Sequence, residues 1–160
     1  MKHLALTLGL LCAPFYADAQ NPTQRPPVGV PSDALQFNGK WYRIYHERLP
    51  WNSAKQRCTT LGGQLAIVPD EPTWVFLRAR TQGVILWLGA TDEEVEGVFK
   101  WIDGTPFTFK AWLPGQPDNA YGGQEHFLHT AGNGWNDVRK SGVINDRSHV
   151  VGFICEWKSR

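Results

Sequence analysis

Between Pro114 and Asp137 the chain reads PGQPDNAYGGQEHFLHTAGNGWND. Up to about Gly134 this stretch is rich in Gly, Pro, Asn and Asp, with no sustained helical or strand period. It is too long for an ordinary connection, which predicts a functional loop. Gln116, Asp118, Glu125, Asn136 and Asp137 all offer oxygen. Three carboxylates and two amide carbonyls are the donor set of a hard cation such as calcium, which takes about six to eight oxygens in irregular geometry. Three negative charges crowded into one loop also repel one another unless a dication neutralises them. Zinc asks for nitrogen and sulfur. His126 and His129 lie nearby, but with no third soft ligand close to them they read as ordinary strand residues.

Before the loop, Phe99 and Trp101 alternate with polar neighbours, Asp103-Gly104 supplies a turn, and Phe107 and Phe109 alternate again, which predicts a hairpin. Further back, Trp51, Ala54, Cys58 and Leu61 recur at three- and four-residue spacing ahead of Gly62-Gly63, the pattern of an amphipathic helix with its stop. Asp70 ahead of Pro72 starts a second, short helix that runs through Trp74 and Leu77 to Gly83. Trp41 to Tyr45, Leu65 with Ile67, and Val84 to Leu88 are strand-like. After the loop, Val150 to Trp157 reads as a buried closing strand.

The ends set the compartment. Lys2 and His3, an apolar run from Leu4 to about Tyr16, and the small-x-small tripeptide Ala17-Asp18-Ala19 form a secretory signal, residues 1-19. The run is shorter than the ~18 to 20 residues a membrane span needs. Cleavage after Ala19 removes Cys12 and leaves Cys58 and Cys155, which should be bonded in an oxidising compartment. Closing so long a loop stabilises the fold by roughly 4 to 5 kcal/mol in the chain-entropy account. Residues 20-36 hold Pro22, Pro26, Pro27 and Pro31 and read as a proline-rich linker, and the folded domain runs over 37-160. The expected location is secreted: extracellular, or periplasmic in a bacterium.

Composition narrows the class of function. Apolar residues make up 42% of the 160 and charged residues 19%, so the chain folds rather than staying disordered. Sixteen Lys and Arg against fifteen Asp and Glu, with no basic cluster, exclude a phosphate backbone as partner. No membrane span is expected.

Several markers occur in order: the Trp51, Ala54, Cys58 face; Trp87-Leu88-Gly89; Trp101 with Asp103-Gly104; Gln116-Pro117-Asp118; Trp135-Asn136-Asp137; and Phe153-Ile154-Cys155-Glu156. In these the chain resembles the C-type lectin-like domain across nearly all of Phe37 to Trp157. The resemblance implies an α+β fold, two helices flanking small antiparallel sheets with a long irregular ligand-binding loop. It implies a non-enzymatic module with calcium held by Gln116, Asp118, Glu125, Asn136 and Asp137, and a cis peptide at Pro117. In that family the calcium site is the sugar site, because two adjacent ring hydroxyls complete the ion's coordination while hydrogen-bonding the same side chains. Gln-Pro-Asp accompanies galactose-type ligands there, so the implied partners are glycans ending in galactose or GalNAc. Galactose also has an apolar face that packs on an aromatic ring. Relatives place a Trp two residues after the aspartate; this chain has Ala120 there and Tyr121 next, and Tyr121 is the candidate substitute.

A second metal site of the family is half written. Asp92 and Glu96 match its acidic positions, whereas Asn119 and His126 stand where acids are usual, so Asp92, Glu96 and Asn119 form a weak site at most. The family's second disulfide is missing, with Phe127 in one cysteine position and Arg139 or Lys140 near the other, and about seven extra residues lie between Asp137 and Cys155. Two other readings compete. The same fold serves some relatives in binding a protein or another non-sugar surface. A carboxylate pair such as Asp118 and Glu125 is also the minimum equipment of a glycoside hydrolase, but a cluster committed to a cation leaves no carboxyl free as an acid.

Overall fold

A computed structural model describes residues 25–159. The signal reading of residues 1-19 and the start of the linker at 20-24 lie outside the described residues. Thirteen elements follow in order: β1 (Leu35–Phe37), β2 (Lys40–Tyr45), α1 (Trp51–Thr60), β3 (Gln64–Leu65), α2 (Glu71–Thr81), β4 (Leu86–Thr91), β5 (Lys100–Trp101), α3 (Ala120–Gly123), β6 (Phe127–Ala131), β7 (Gly134–Val138), β8 (Val143–Asn145), β9 (Ser148–His149) and β10 (Gly152–Lys158). The fold is α+β, with two long helices, the four-residue α3, one mixed sheet and a separate two-stranded sheet. Pairing starts at Leu35, opposite Tyr42, and Ala34 is buried, so the boundary expected at residue 37 falls inside β1.

The sheet runs β1-β2-β10-β4-β6-β7, with β3 paired to β10 and β5 to β4. All of its pairings are antiparallel except β10 with β4, which run parallel through Gly152↔Leu86 and Phe153↔Trp87. Alternation along each strand divides the core in two. Tyr42, Leu86, Leu88, Leu128 and Ile154 join the cluster that Trp74 and Leu77 of α2 complete. Trp41, Tyr45, Trp87, Phe127, Phe153 and Cys155 join the cluster that Trp51, Ala54 and Cys58 of α1 complete. One helix therefore covers each face.

Local chemistry explains both helices. In α1 the buried residues are Trp51, Ala54 and Cys58, the face expected from their spacing, and the Trp51 indole donates to the Leu88 carbonyl (2.9 Å). The helix ends where Gly62 enters the left-handed region (φ 77°), and the Gly63 amide donates back to Cys58 O at 2.9 Å. In α2 the Asp70 side chain accepts from the Thr73 amide at 2.9 Å, an N-cap, with Pro72 in the first turn where its missing N–H costs nothing. The Cys58–Cys155 disulfide ties α1 to β10, as expected.

Two expectations fail. The hairpin of Phe99–Trp101 with Phe107–Phe109 does not form: β5 pairs with β4 instead, and residues 105 to 110 are not in a strand. Their aromatic alternation serves packing, since Phe107 and Phe109 lie 6.0 and 5.6 Å from the buried Trp135 ring. The stretch up to Gly134 is also less irregular than expected. It contains α3 and all of β6, whose Phe127 to Ala131 pair in register with Val138 to Gly134 of β7. The extra residues after Asp137 fold into the separate β8-β9 hairpin.

Candidate functional site

Trp135 anchors the site. It is fully buried and meets Trp74, Trp101, Phe109 and Trp112 edge-on. Its backbone clips the start of the loop to β7: its amide donates to Ala111 O (2.7 Å) and its carbonyl accepts from Leu113 N (2.9 Å). This approach requires Gly134, because a Cβ there would stand 2.7 Å from Ala111 O. The loop then turns through Gln116 N to Leu113 O (3.0 Å), and the Gln116–Pro117 peptide is cis, as the resemblance implied.

That geometry lays residues 116 to 119 over β7. The Asp118 amide donates to Gln116 Oε1 (3.1 Å) and to Asp137 Oδ1 (3.3 Å), and the Asn119 amide donates to Asp137 Oδ2 (3.0 Å). Across the loop, Ala120 N donates to Glu125 Oε2 (3.0 Å), while Glu125 N donates to Asn119 Oδ1 (3.1 Å). Asn119 is left-handed at φ 43°, which its short polar side chain tolerates. One carboxylate oxygen each from Asp118, Glu125 and Asp137 comes within 4.8 Å of the other two. Asp118 is exposed, whereas Glu125 and Asp137 are buried.

Electrostatics follow from that crowding. Burial, then the charges of Asp137 and Asp118, push Glu125 up to about 7. Burial also raises Asp137, against the amides of Asn119 and Asp118 that hydrogen-bond its charged form. The fit to a hard cation rests on one further atom: Asn136 Oδ1 is buried with no hydrogen-bond partner. A buried carbonyl oxygen left without a donor is costly, and a cation satisfies it. Asp118, Glu125 and Asp137, with Asn136 beside Asp137 and Gln116 beside the cis bond, are therefore the residues able to hold one. Tyr121 lies in the short α3.

A second cluster brings Asp92, Glu96 and His126 together. The β4-β6 pairing sets Thr91 opposite Phe127, and the Asp92 amide donates to His126 O at 3.2 Å. His126 Nδ1 then lies 3.1 Å from Asp92 Oδ1 and 3.4 Å from Glu96 Oε2. By its local sequence His126 reads as an ordinary strand residue, while the family resemblance sets both it and Asn119 at acidic positions of the second metal site and groups Asn119 with Asp92 and Glu96 as the weak ligands. The structure puts the imidazole against both carboxylates and engages the Asn119 carbonyl oxygen inside the first loop. From the sequence, only the family resemblance sets His126 at a position of that site; the contact itself depends on the long-range register of β4 on β6. His129 is buried on β6, its Nδ1 donating to Thr130 O (2.8 Å), and burial lowers it to about 4, so it is a neutral core residue.

Comparison with known proteins agrees with this architecture. The family profile described as lectin C-type domain matches residues 47–156. Mouse C-type lectin domain family 4 member F is 36% identical over 109 residues, covering 64% of this chain and 20% of that protein. Chicken hepatic lectin is 36% identical over 118 residues, covering 70% of this chain and 56% of that protein. This chain thus spans about a fifth to just over half the length of these relatives. Among solved structures, the cow C-type carbohydrate-recognition domain of CD23 superposes with a TM-score of 0.74 at 27% identity, covering 82% of this chain and 97% of that one. Among the described residues no helix is long and apolar enough to cross a membrane. With the profile over most of its length and the disulfide, cis-Pro loop and Trp-Asn-Asp strand all in register, the chain belongs to the C-type lectin domain family, a non-enzymatic class of binding module.

Proposed function

We propose that this is a secreted, calcium-dependent sugar-binding domain, with calcium held by Gln116, Asp118, Glu125, Asn136 and Asp137 and galactose or GalNAc as the terminal sugar. The observation that supports it best is the meeting of three carboxylates, Asp118, Glu125 and Asp137, next in sequence to Asn136, whose buried carbonyl oxygen has no hydrogen-bond partner. Bound there, calcium supplies open coordination positions for a vicinal pair of ring hydroxyls. The chain's own part is to fix the ligands: the amides of Asp118 and Asn119 hold both oxygens of Asp137, and Ala120 N orients Glu125. The same acids and amides then meet the hydroxyls as acceptors and donors, which sets which hydroxyl pair is matched. The galactose assignment rests on the Gln116-Pro117-Asp118 order, and Tyr121 is the ring for the sugar's apolar face. The raised Glu125 does not argue for hydrolysis, because its causes are burial and neighbouring negative charge, and a dication offsets both.

Chromatography tests the assignment. The full chain should bind immobilised galactose at millimolar calcium and elute with a chelator or with free galactose. Elution by mannose but not galactose would move the specificity to the other sugar class, as the GlcNAc2Man3 oligosaccharide present with the cow domain makes a natural competitor to try. Retention on neither a galactose nor a mannose resin would leave a protein or other non-sugar surface as the ligand.

A further inference from the structure

We propose that Arg139, just past the end of β7 and held by the β8-β9 hairpin, is a built-in counter-charge of the calcium site: it eases the gathering of the three carboxylates when no cation is bound, and it keeps calcium affinity below what those ligands alone would give. The inference rests on the calcium reading above and deepens it, by naming the residue that sets how tightly the site takes its ion. The register of β7 on β6 sets Val138 opposite Phe127. Arg139 therefore leaves the sheet beside the stretch that carries Glu125, two residues after Asp137. Its charge reaches that ligand, pulling Glu125 down against the burial and the two carboxylates that push it up. The pull is smaller than the push, so the compensation is partial and Glu125 stays raised.

The hairpin fixes where that charge stands. Arg139 Nη2 donates to Val143 O at 3.3 Å. Val143 is held in turn by its pairing with His149, and by the turn that Gly142 N closes on Arg139 O at 2.8 Å. Gly142 O accepts from Val150 N (2.9 Å), and Gly142 is left-handed at φ 77° with a Cβ position only 3.0 Å from the Trp87 ring. Val150 is buried, and Val151 N donates to Ile85 O at 3.0 Å. The extra residues between Asp137 and Cys155 thus close on the core and present a carbonyl to the guanidinium. Arginine suits the task, because it keeps its charge at every working pH and its fork of donors bonds one carbonyl while the charge acts elsewhere.

A fixed cation beside a cation site acts on its two states in opposite directions. With the site empty, it offsets the mutual repulsion of Asp118, Glu125 and Asp137, whose oxygens lie within 4.8 Å of one another. With the site filled, it repels the dication. A residue that only braced the loop would move both states the same way, so the sign of the change separates the two roles.

Calorimetric calcium titration and cation-free denaturant unfolding of the full chain, both above about pH 7 where Glu125 is ionised, test this. Arg139→Gln should bind calcium severalfold more tightly than the wild type and yet be less stable without it. Both differences should shrink as salt is raised, since screening weakens partly exposed charges. Arg139→Lys keeps the charge and should stay near the wild type in both measurements. Weaker calcium binding in Arg139→Gln, or an Arg139→Lys variant that behaves like Arg139→Gln, would reduce Arg139 to a structural brace and overturn the proposal. Calcium binding unaltered by Arg139→Gln would overturn it alone, whereas wild-type protein that takes no calcium would overturn it together with the reading on which it rests.

Discussion

The two acidic clusters meet at Glu125 and His126, just ahead of β6, and differ in one respect that decides their chemistry. Around Asp118, Glu125 and Asp137 every donor is oxygen, and the backbone amides that reach in stabilise negative charge without cancelling it. Around Asp92 and Glu96 the protein supplies its own partner, His126. The first cluster is therefore left with a raised Glu125 and an orphaned Asn136 carbonyl, both signs of a missing positive charge. A count of carboxylates would rank the clusters as near equals; the identity of the third ligand separates them.

The largest effect expected from this contrast comes at Asp137. A ligand at 100 times its dissociation constant stabilises the folded state by about 2.7 kcal/mol. Wild-type protein should gain that much with calcium, and Asp137→Ala should gain none and be lost from the galactose resin, as thermal shift and chromatography will read. A calcium response persisting in Asp137→Ala would erase the distinction between the clusters.

Next in size is the pH dependence of the cation-free protein. Glu125 has its folded value raised from 4.5 to about 7, so between those limits the native state holds a proton that the unfolded chain has released. Stability therefore falls as pH rises from about 4.5 to about 7, and below 4.5 the group contributes no slope. Denaturant unfolding across that window should show the decline, flattened in Glu125→Gln. With calcium present the dependence should reverse, because protons compete with the cation, and apparent calcium affinity should weaken below about pH 7.

How much of this was legible beforehand differs between local and distant relations. The α1 face, the Asp70 cap and the disulfide follow from spacing and residue type, and the five oxygen donors could be named because they sit in two tripeptides and one loop. Register could not be read. The family resemblance sets His126 beside Asp92 and Glu96, but nothing in its local sequence says that Thr91 will lie opposite Phe127 and so deliver Asp92 to the imidazole. The failed hairpin has the same cause: Phe107 and Phe109 alternate as strand residues do, yet their partner is Trp135, 26 or more positions on. The β8-β9 hairpin is short and mostly half-exposed, with too few apolar residues to mark it.

A smaller effect is expected at Tyr121, which on the proposed function touches sugar and not metal. Stacking of an aromatic ring contributes about 0.5 to 1.5 kcal/mol beyond burial. Tyr121→Ala should therefore weaken galactose roughly 2- to 10-fold in inhibition assays, with the calcium midpoint of the thermal shift unmoved. Equal loss of calcium and galactose would mean that the loop's fold, and not ring contact, is the property removed.

The smallest effect concerns what braces the clusters against each other. Where relatives carry a second disulfide, Lys140 sets its ammonium 5.1 Å from the Phe127 ring centroid and pairs with Glu93, while its backbone carbonyl accepts from the Trp51 amide at 2.9 Å. Both ends of the ion pair are about half exposed, so it contributes no more than about 1 kcal/mol. The cation–π contact adds a similar amount at such a site. Lys140→Met keeps the packing stem and removes the charge, and should lower stability by about 1 kcal/mol or less, more at low salt than at high. Since Phe127 follows His126 and its neighbour Glu125, any loosening should reach the first cluster through Glu125, lowering calcium affinity slightly. A loss of stability with calcium affinity unchanged would show that this brace does not reach the calcium ligands.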